Sequence, residues 1–308
     1  MITQLYDLVI IGSPSINRVV YNSTVVQETV LSGPSILTAV TATRLGLENM
    51  AVVGSLSPKD SSCISENLDS LNIPEFLKIE STETGGFEIE YNGGPDPSFT
   101  KLLGVPKQIG IRDIPDEFLT TRYIILSPML QEINTELVEW LCDSSQATIL
   151  LDPQLRIPKN GTQIGIIDEI DIASKTSCYL DFIKPNEDEA FLISGEDDPY
   201  VAAEILVDTM AENCIITRGI HGSIFFDGSE FRTIPSYKVD AVDTLGAGSA
   251  FLAGFVAGLL DDKRYDYCAA LGASVASFKI TGTSTDFHLD RKGAFTRASE
   301  IDLDIEFH

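Results

Sequence analysis

The chain has 308 residues, 44% of them hydrophobic and 22% charged, which supplies a core and argues against global disorder. Its 46 acidic residues outweigh 21 basic ones, for a net charge of −25, and that excess argues against a non-specific grip on nucleic acid or an anionic membrane. A phosphate-bearing ligand would need a local site that overcomes this repulsion.

Met1 to Asp7 holds no basic region leading into a long apolar one, and no apolar run reaches the ~18 residues of a membrane span. A cytoplasmic setting is expected. Five cysteines (Cys63, Cys142, Cys178, Cys214 and Cys268) are scattered without a CxxC pair and read as buried reduced thiols. Three histidines offer no metal cluster.

In chain order, Leu8 to Ile11 predicts a buried strand and Pro34 to Leu45 a helix. Ala51 to Val53 is a strand and Ser62 to Leu71 a helix. Strand Tyr123 to Leu126, helix Ile133 to Leu141 and strand Thr148 to Leu151 follow. Then come a short strand at Asp181 to Ile183, a helix from Tyr200 to Met210 and a strand from Cys214 to Ile216. The strands are apolar on both faces, as parallel strands covered by helices are. Alternating βα units predict a doubly wound, mostly parallel α/β sheet. Two stretches depart from that rhythm. Phe87 to Tyr91 alternates apolar and polar residues before a glycine turn, and Val19 to Val30 has a similar strand-like content. They predict a small antiparallel flap.

Ligands bind beyond the carboxyl ends of strands in such sheets. Here those ends carry Gly12-Ser13, Asp152-Pro153-Gln154, Lys184-Pro185-Asn186 and Thr217-Arg218-Gly219. This shared polar rim points to a small-molecule site. The sharpest local feature is Asp243-Thr244-Leu245-Gly246-Ala247-Gly248-Ser249, followed by an apolar helix from Ala250 to Leu260. Glycines just before a helix free backbone N–H groups to face an anion, with the helix dipole assisting. The run has neither the lysine of a Walker A loop nor the GxGxxG spacing, and a tight connection is the plain alternative.

These residues resemble the ribokinase-like (PfkB) carbohydrate and nucleoside kinases, archaeal-type members included. The late signature of that family reads Asp-Thr-x-Gly-Ala-Gly-Asp. Supporting matches lie in order along nearly the whole chain: Gly12 to Asn17, Arg44-Leu45-Gly46, Leu151-Asp152-Pro153-Gln154 with Arg156, Lys184-Pro185-Asn186 with Glu189, and Thr217-Arg218-Gly219 to Gly222. The resemblance implies one ribokinase-like domain over 1–308, a three-layer α/β sandwich with a small antiparallel β lid built from about 18–32 and 84–103. It implies ATP-dependent phosphoryl transfer to a hydroxyl of a sugar or nucleoside, with Mg²⁺. Gly246, Ala247 and Gly248 would form an anion hole. Asn186 and Glu189 would place the metal-bound phosphates through water, without a direct metal ligand. Thr217, Gly219 and Gly222 would lie along the nucleotide, with Ala273 and Ser277 near the adenine. Asn17, Gly33, Gln154 and Arg156 would face the substrate. A monovalent cation such as K⁺ would suit the region around Asp243. A homodimer paired through lid strands is expected, with no nucleic-acid or membrane partner.

Three positions depart from the pattern. Ser249 stands where the family carries its catalytic Asp, and a hydroxyl cannot take a proton near neutral pH as a carboxylate does. A naturally degenerate member, a deliberate removal of the base and chemistry through another base all stand as readings. A catalytically weak nucleotide- or sugar-binding protein is the alternative function. Asn17 replaces a frequent Asp, and Leu37 lies near the usual position of an Asn. His221 is expected to be exposed beside the nucleotide, Trp140 to be core or semi-core, and the acidic tail from Glu300 to Glu306 to be solvated.

Overall fold

Short apolar strands buried on both faces build the centre of the molecule. A computed structural model describes residues 6–22, 24–154 and 179–301. Its large sheet has nine strands: β1 (Leu8–Ile11), β4 (Met50–Leu56), β5 (Phe76–Glu80), β8 (Tyr123–Leu126), β9 (Thr148–Leu151), β10 (Leu180–Ile183), β11 (Ala211–Thr217), β12 (Ser223–Phe226) and β13 (Phe231–Ile234). Their spatial order is β13-β12-β11-β10-β9-β8-β1-β4-β5. β12 pairs antiparallel with both β11 and β13, and the other neighbours pair in parallel.

Period-two alternation divides each strand between two cores. Leu8 and Ile10 of β1 face one of them, with α1 (Pro34–Arg44), α2 (Ser61–Ser70), α6 (Ala247–Leu260), α7 (Tyr265–Lys279) and α8 (Arg291–Glu300). Val9 and Ile11 face the other, with α3 (Thr135–Ser144), α4 (Glu187–Ser194) and α5 (Pro199–Thr209). The expected three-layer, doubly wound sandwich is what forms.

The lid is a separate four-stranded sheet in the order β3-β2-β6-β7, from β2 (Ser15–Tyr21), β3 (Thr24–Ser32), β6 (Gly86–Tyr91) and β7 (Ser98–Gly104). It corrects one expectation. The lid is mixed rather than wholly antiparallel, because β2 and β6 leave the main sheet in separate excursions and pair in parallel. Phe87, Ile89 and Tyr91 of β6 bury their apolar face against Met129 and Leu130.

The cysteines also depart from the uniform reading. Cys214 and Cys268 are buried free thiols, Cys63 is exposed, and Cys142 is disulfide-bonded. Burial pushes the Cys214 thiol up and raises Cys268 to about 12, so neither thiol ionises near neutral pH. Cys178, Arg156 and the acidic tail beyond Ile301 lie outside the described residues.

Candidate active site

The parallel strands deliver their carboxyl ends to one rim, and a cavity of about 1180 Å³ opens there. Ser249, Gly246, Ala247 and Gly248 line it, as do Asn186, Glu189, Thr217, Gly219, Gly222, Ala273 and Ser277. Asn17, Gly33 and Gln154 line it too. Asp243 does not; it lies buried behind the loop. His221 is exposed and outside the cavity lining, while its neighbour Ile220 stands at the edge, 83% exposed.

The glycine turn reaches α6 at Gly246, whose φ of +82° places the chain in the left-handed region just before the helix. A Cβ there would also meet Leu37 Cδ1 at 2.4 Å. The helix beyond is apolar and buried from Ser249 to Leu259, so it cannot shift to relieve the loop. Gly246→Ala is expected to cost about 1–2 kcal/mol of stability through the strained φ and to slow phosphoryl transfer. Thermal melting and a rate assay check this; a variant matching the parent in both would remove the argument for the loop.

A cation reaches the same place. Lys184, at the end of β10, is 3% exposed at its side chain and pairs with the fully buried Asp152 at 3.1 Å. Its Nζ lies 3.1 Å from where a Cβ on Gly248 would sit. Gln154 Nε2 donates to the second carboxylate oxygen of Asp152 at 2.7 Å. The ion pair therefore links the ends of β9 and β10 and aims an ammonium at the start of α6. This places a positive charge at the start of α6 in a chain whose net charge is −25.

At the end of β10, Asn186 caps α4. Its side-chain oxygen accepts from Glu189 N at 2.8 Å, and Glu189 Oε2 accepts from Asn186 N at 2.9 Å. This capping box fixes the Glu189 carboxylate in the cavity wall. Thr217 ends β11 and leads into the turn containing Gly219 and Gly222, both at positive φ. Ser277 accepts from Arg297 Nη1 at 2.8 Å and donates to Ser274 O.

The opposite end lies under the lid. Asn17 Oδ1 accepts from Phe87 N at 2.9 Å, so its acceptor is committed to the lid and its amide N–H groups are what it offers a ligand. Phe87 and Phe99 meet edge to face, 5.1 Å apart, and line this end with Leu37 and Met129. The β6–β7 turn docks on the glycine loop: Thr244 donates from Oγ1 to Asp96 Oδ1 at 2.8 Å and from N to Pro95 O at 3.1 Å. Lys184, Lys238, Asp96 and the aromatic pair all line the cavity without having been singled out in the sequence as ligand residues. The Lys-Pro-Asn run was the one available signal, for Lys184.

A sequence profile of the pfkB family carbohydrate kinases matches residues 28–292. The chain belongs to this family. Among curated relatives of this pfkB kinase, a cytidine kinase of Thermococcus kodakarensis is 27% identical over 274 residues, 87% of this chain and 94% of the relative. The ribokinase of Thermotoga maritima has a similar fold, with a TM-score of 0.78 at 22% identity over 96% of this chain and 99% of that one. A pyrophosphate-dependent kinase of the ribokinase family is similar in fold as well, with a TM-score of 0.74 at 21% identity over 93% and 98% of the two chains. No described helix is long and apolar enough to cross a membrane.

Proposed function

We propose that this pfkB kinase transfers the terminal phosphoryl group of ATP to a hydroxyl of a nucleoside or free sugar. One observation carries the reading: a single cavity joins the glycine turn at the start of α6 to Thr217, Gly219, Gly222, Ala273 and Ser277 and to Asn17, Phe87 and Phe99 of the lid. Thr217, Gly219 and Gly222 would bind the donor along its phosphates, with Ala273 and Ser277 of α7 beside the base. The backbone N–H groups after Gly246, together with the Lys184 ammonium, would hold the negative charge that moves in phosphoryl transfer. Asn17 and Gly33 would orient the acceptor hydroxyl.

Among the described residues no group of three or more His, Cys, Asp or Glu could hold a metal ion. Mg²⁺ would come in on the donor phosphates and be held through water near Glu189 and Asn186, where it would neutralise phosphate charge. The Phe87–Phe99 pair gives the acceptor pocket flat apolar walls suited to a nucleobase, and the likeness to a cytidine kinase supports a nucleoside.

Ser249 gives the cavity a hydroxyl where a carboxylate would take the acceptor proton. Slow transfer is therefore expected, the proton leaving to solvent or to a phosphate oxygen. The alternative is a binding protein that holds nucleotide or sugar without efficient transfer, and the same Ser249 favours it. A product assay decides between the two. With Mg²⁺ and ATP, a panel of nucleosides and pentoses should yield ADP and a phosphorylated acceptor in equal amounts, with nucleosides ahead. Pyrophosphate in place of ATP should give no product. Absence of any phosphorylated acceptor, from this chain and from Ser249→Asp alike, would overturn the reading. A homodimer through the lid is a further part of the proposal; the outer strands of that sheet are β3 and β7, and sedimentation at two concentrations tests it.

A further inference from the structure

Lys279 is the last residue of α7 and is fully buried. No part of the phosphoryl-transfer scheme uses it. Its Nζ donates to the backbone oxygen of Asp243 at 3.3 Å and lies 3.6 Å from Asp243 Oδ2. The rest of that carboxylate is saturated. Oδ1 accepts from the Tyr91 hydroxyl at 2.7 Å and from Leu245 N at 2.9 Å, and Oδ2 accepts from Ser284 N at 3.0 Å. The backbone on either side is pinned as well, with Val242 N and Asp243 N both donating to Ile280 O. The Phe287 ring lies 5.9 Å from the ammonium.

The family resemblance leads one to expect a monovalent cation beside Asp243, and the residues present do not fit one. A buried carboxylate that already carries an ammonium and three N–H or O–H donors has no charge left to attract a second cation. A free ion at the same oxygens would sit within a few ångströms of Lys279 and be repelled by it. Burial lowers the pKa of Lys279, and the Asp243 carboxylate opposes that shift.

We infer that Lys279 is a built-in replacement for the monovalent cation. It anchors Asp243, and through Asp243 the Thr244–Gly246 loop that shapes the anion hole. Lys279 is thus a positioning residue, and this kinase works without K⁺. The inference rests on the kinase reading for its catalytic consequence but not for the absence of cation binding.

The test uses the full chain in chloride buffers of equal ionic strength whose cation is K⁺, Li⁺ or N-methylglucamine. The wild-type melting temperature is expected to be the same in all three, and the transfer rate to vary by less than about twofold. Lys279→Met leaves Asp243 buried without a counter-charge. In N-methylglucamine it should melt earlier and transfer at least about tenfold more slowly, with K⁺ restoring much of both and Li⁺ little. Lys279→Arg keeps the charge and should stay indifferent to K⁺. If Lys279→Met does not fold, Lys279→Met with Asp243→Asn removes both charges and should show no K⁺ response.

A wild-type rate activated tenfold or more by K⁺, or a wild-type melting point raised selectively by K⁺, would overturn the inference. So would a Lys279→Met protein as fast in N-methylglucamine as the parent. Failure of transfer in every salt would count against the kinase reading alone, because the melting comparison still decides the role of Lys279.

Discussion

Ser249→Asp is expected to raise the turnover of phosphoryl transfer by about 10²–10⁴-fold, the usual contribution of a placed general base. Ser249 lies in the first turn of α6, 2% exposed, with its side of the helix on the cavity. A carboxylate there gains from the helix N-terminus and from the ammonium of Lys184, and both keep it ionised. The acceptor hydroxyl then has somewhere to send its proton as its oxygen attacks phosphorus. The effect should fall on kcat with little change in the KM for the donor, because the group acts on a charge that develops in the transition state. Sign and pH agree. The turnover of the Asp variant should rise with pH through the pKa of the new carboxylate and then level off, whereas the parent has no such limb. Coupled ADP release across a pH series measures it. Equal turnover of the two proteins would show that another group already serves as base.

Lys184→Met is expected to be the most destabilising single change in the site. The Asp152 carboxylate is fully buried, and its partners are Lys184 and Gln154. Removing the ammonium strands a charge in the interior, at a cost of about 3–5 kcal/mol. Denaturant melts should show that loss. Adding Asp152→Asn removes the stranded charge and should return most of the stability. It should not return transfer, because the cation beside Gly248 is still missing. That split separates the two roles of Lys184. A double variant that recovers both stability and rate would make the lysine a structural residue only.

The central strands were legible because burial on both faces leaves a run of aliphatic residues with no polar interruption. β1, β8 and β9 are bounded in the structure at Leu8–Ile11, Tyr123–Leu126 and Thr148–Leu151, as their apolar runs predict. The rest was harder for physical reasons. β5, Phe76–Glu80, is an edge strand with Lys78 and Glu80 exposed. α4 is so short and so acidic at its start that it reads as a turn until the Asn186–Glu189 box is recognised as a cap. α6 begins at Ala247 rather than Ala250, because a glycine at positive φ can cap a helix with no side-chain signal. The rim residues could be gathered from strand ends alone. Lys279 could not. Lysine is ordinarily a surface residue, and its burial against Asp243 depends on a contact across 36 positions of chain.

The Tyr91 hydroxyl, which joins the lid to the Asp243 carboxylate, has one more consequence. Burial and then the carboxylate push that hydroxyl well above its ordinary range, so it stays a proton donor near neutral pH. The Asp96–Thr244 contact fastens the same lid to the same loop a few residues on. A swing of the lid away from the cavity must break both links, and the glycine loop then loses two of its struts at once. The lid and the Thr244–Gly246 loop are thus tied together at two separate points.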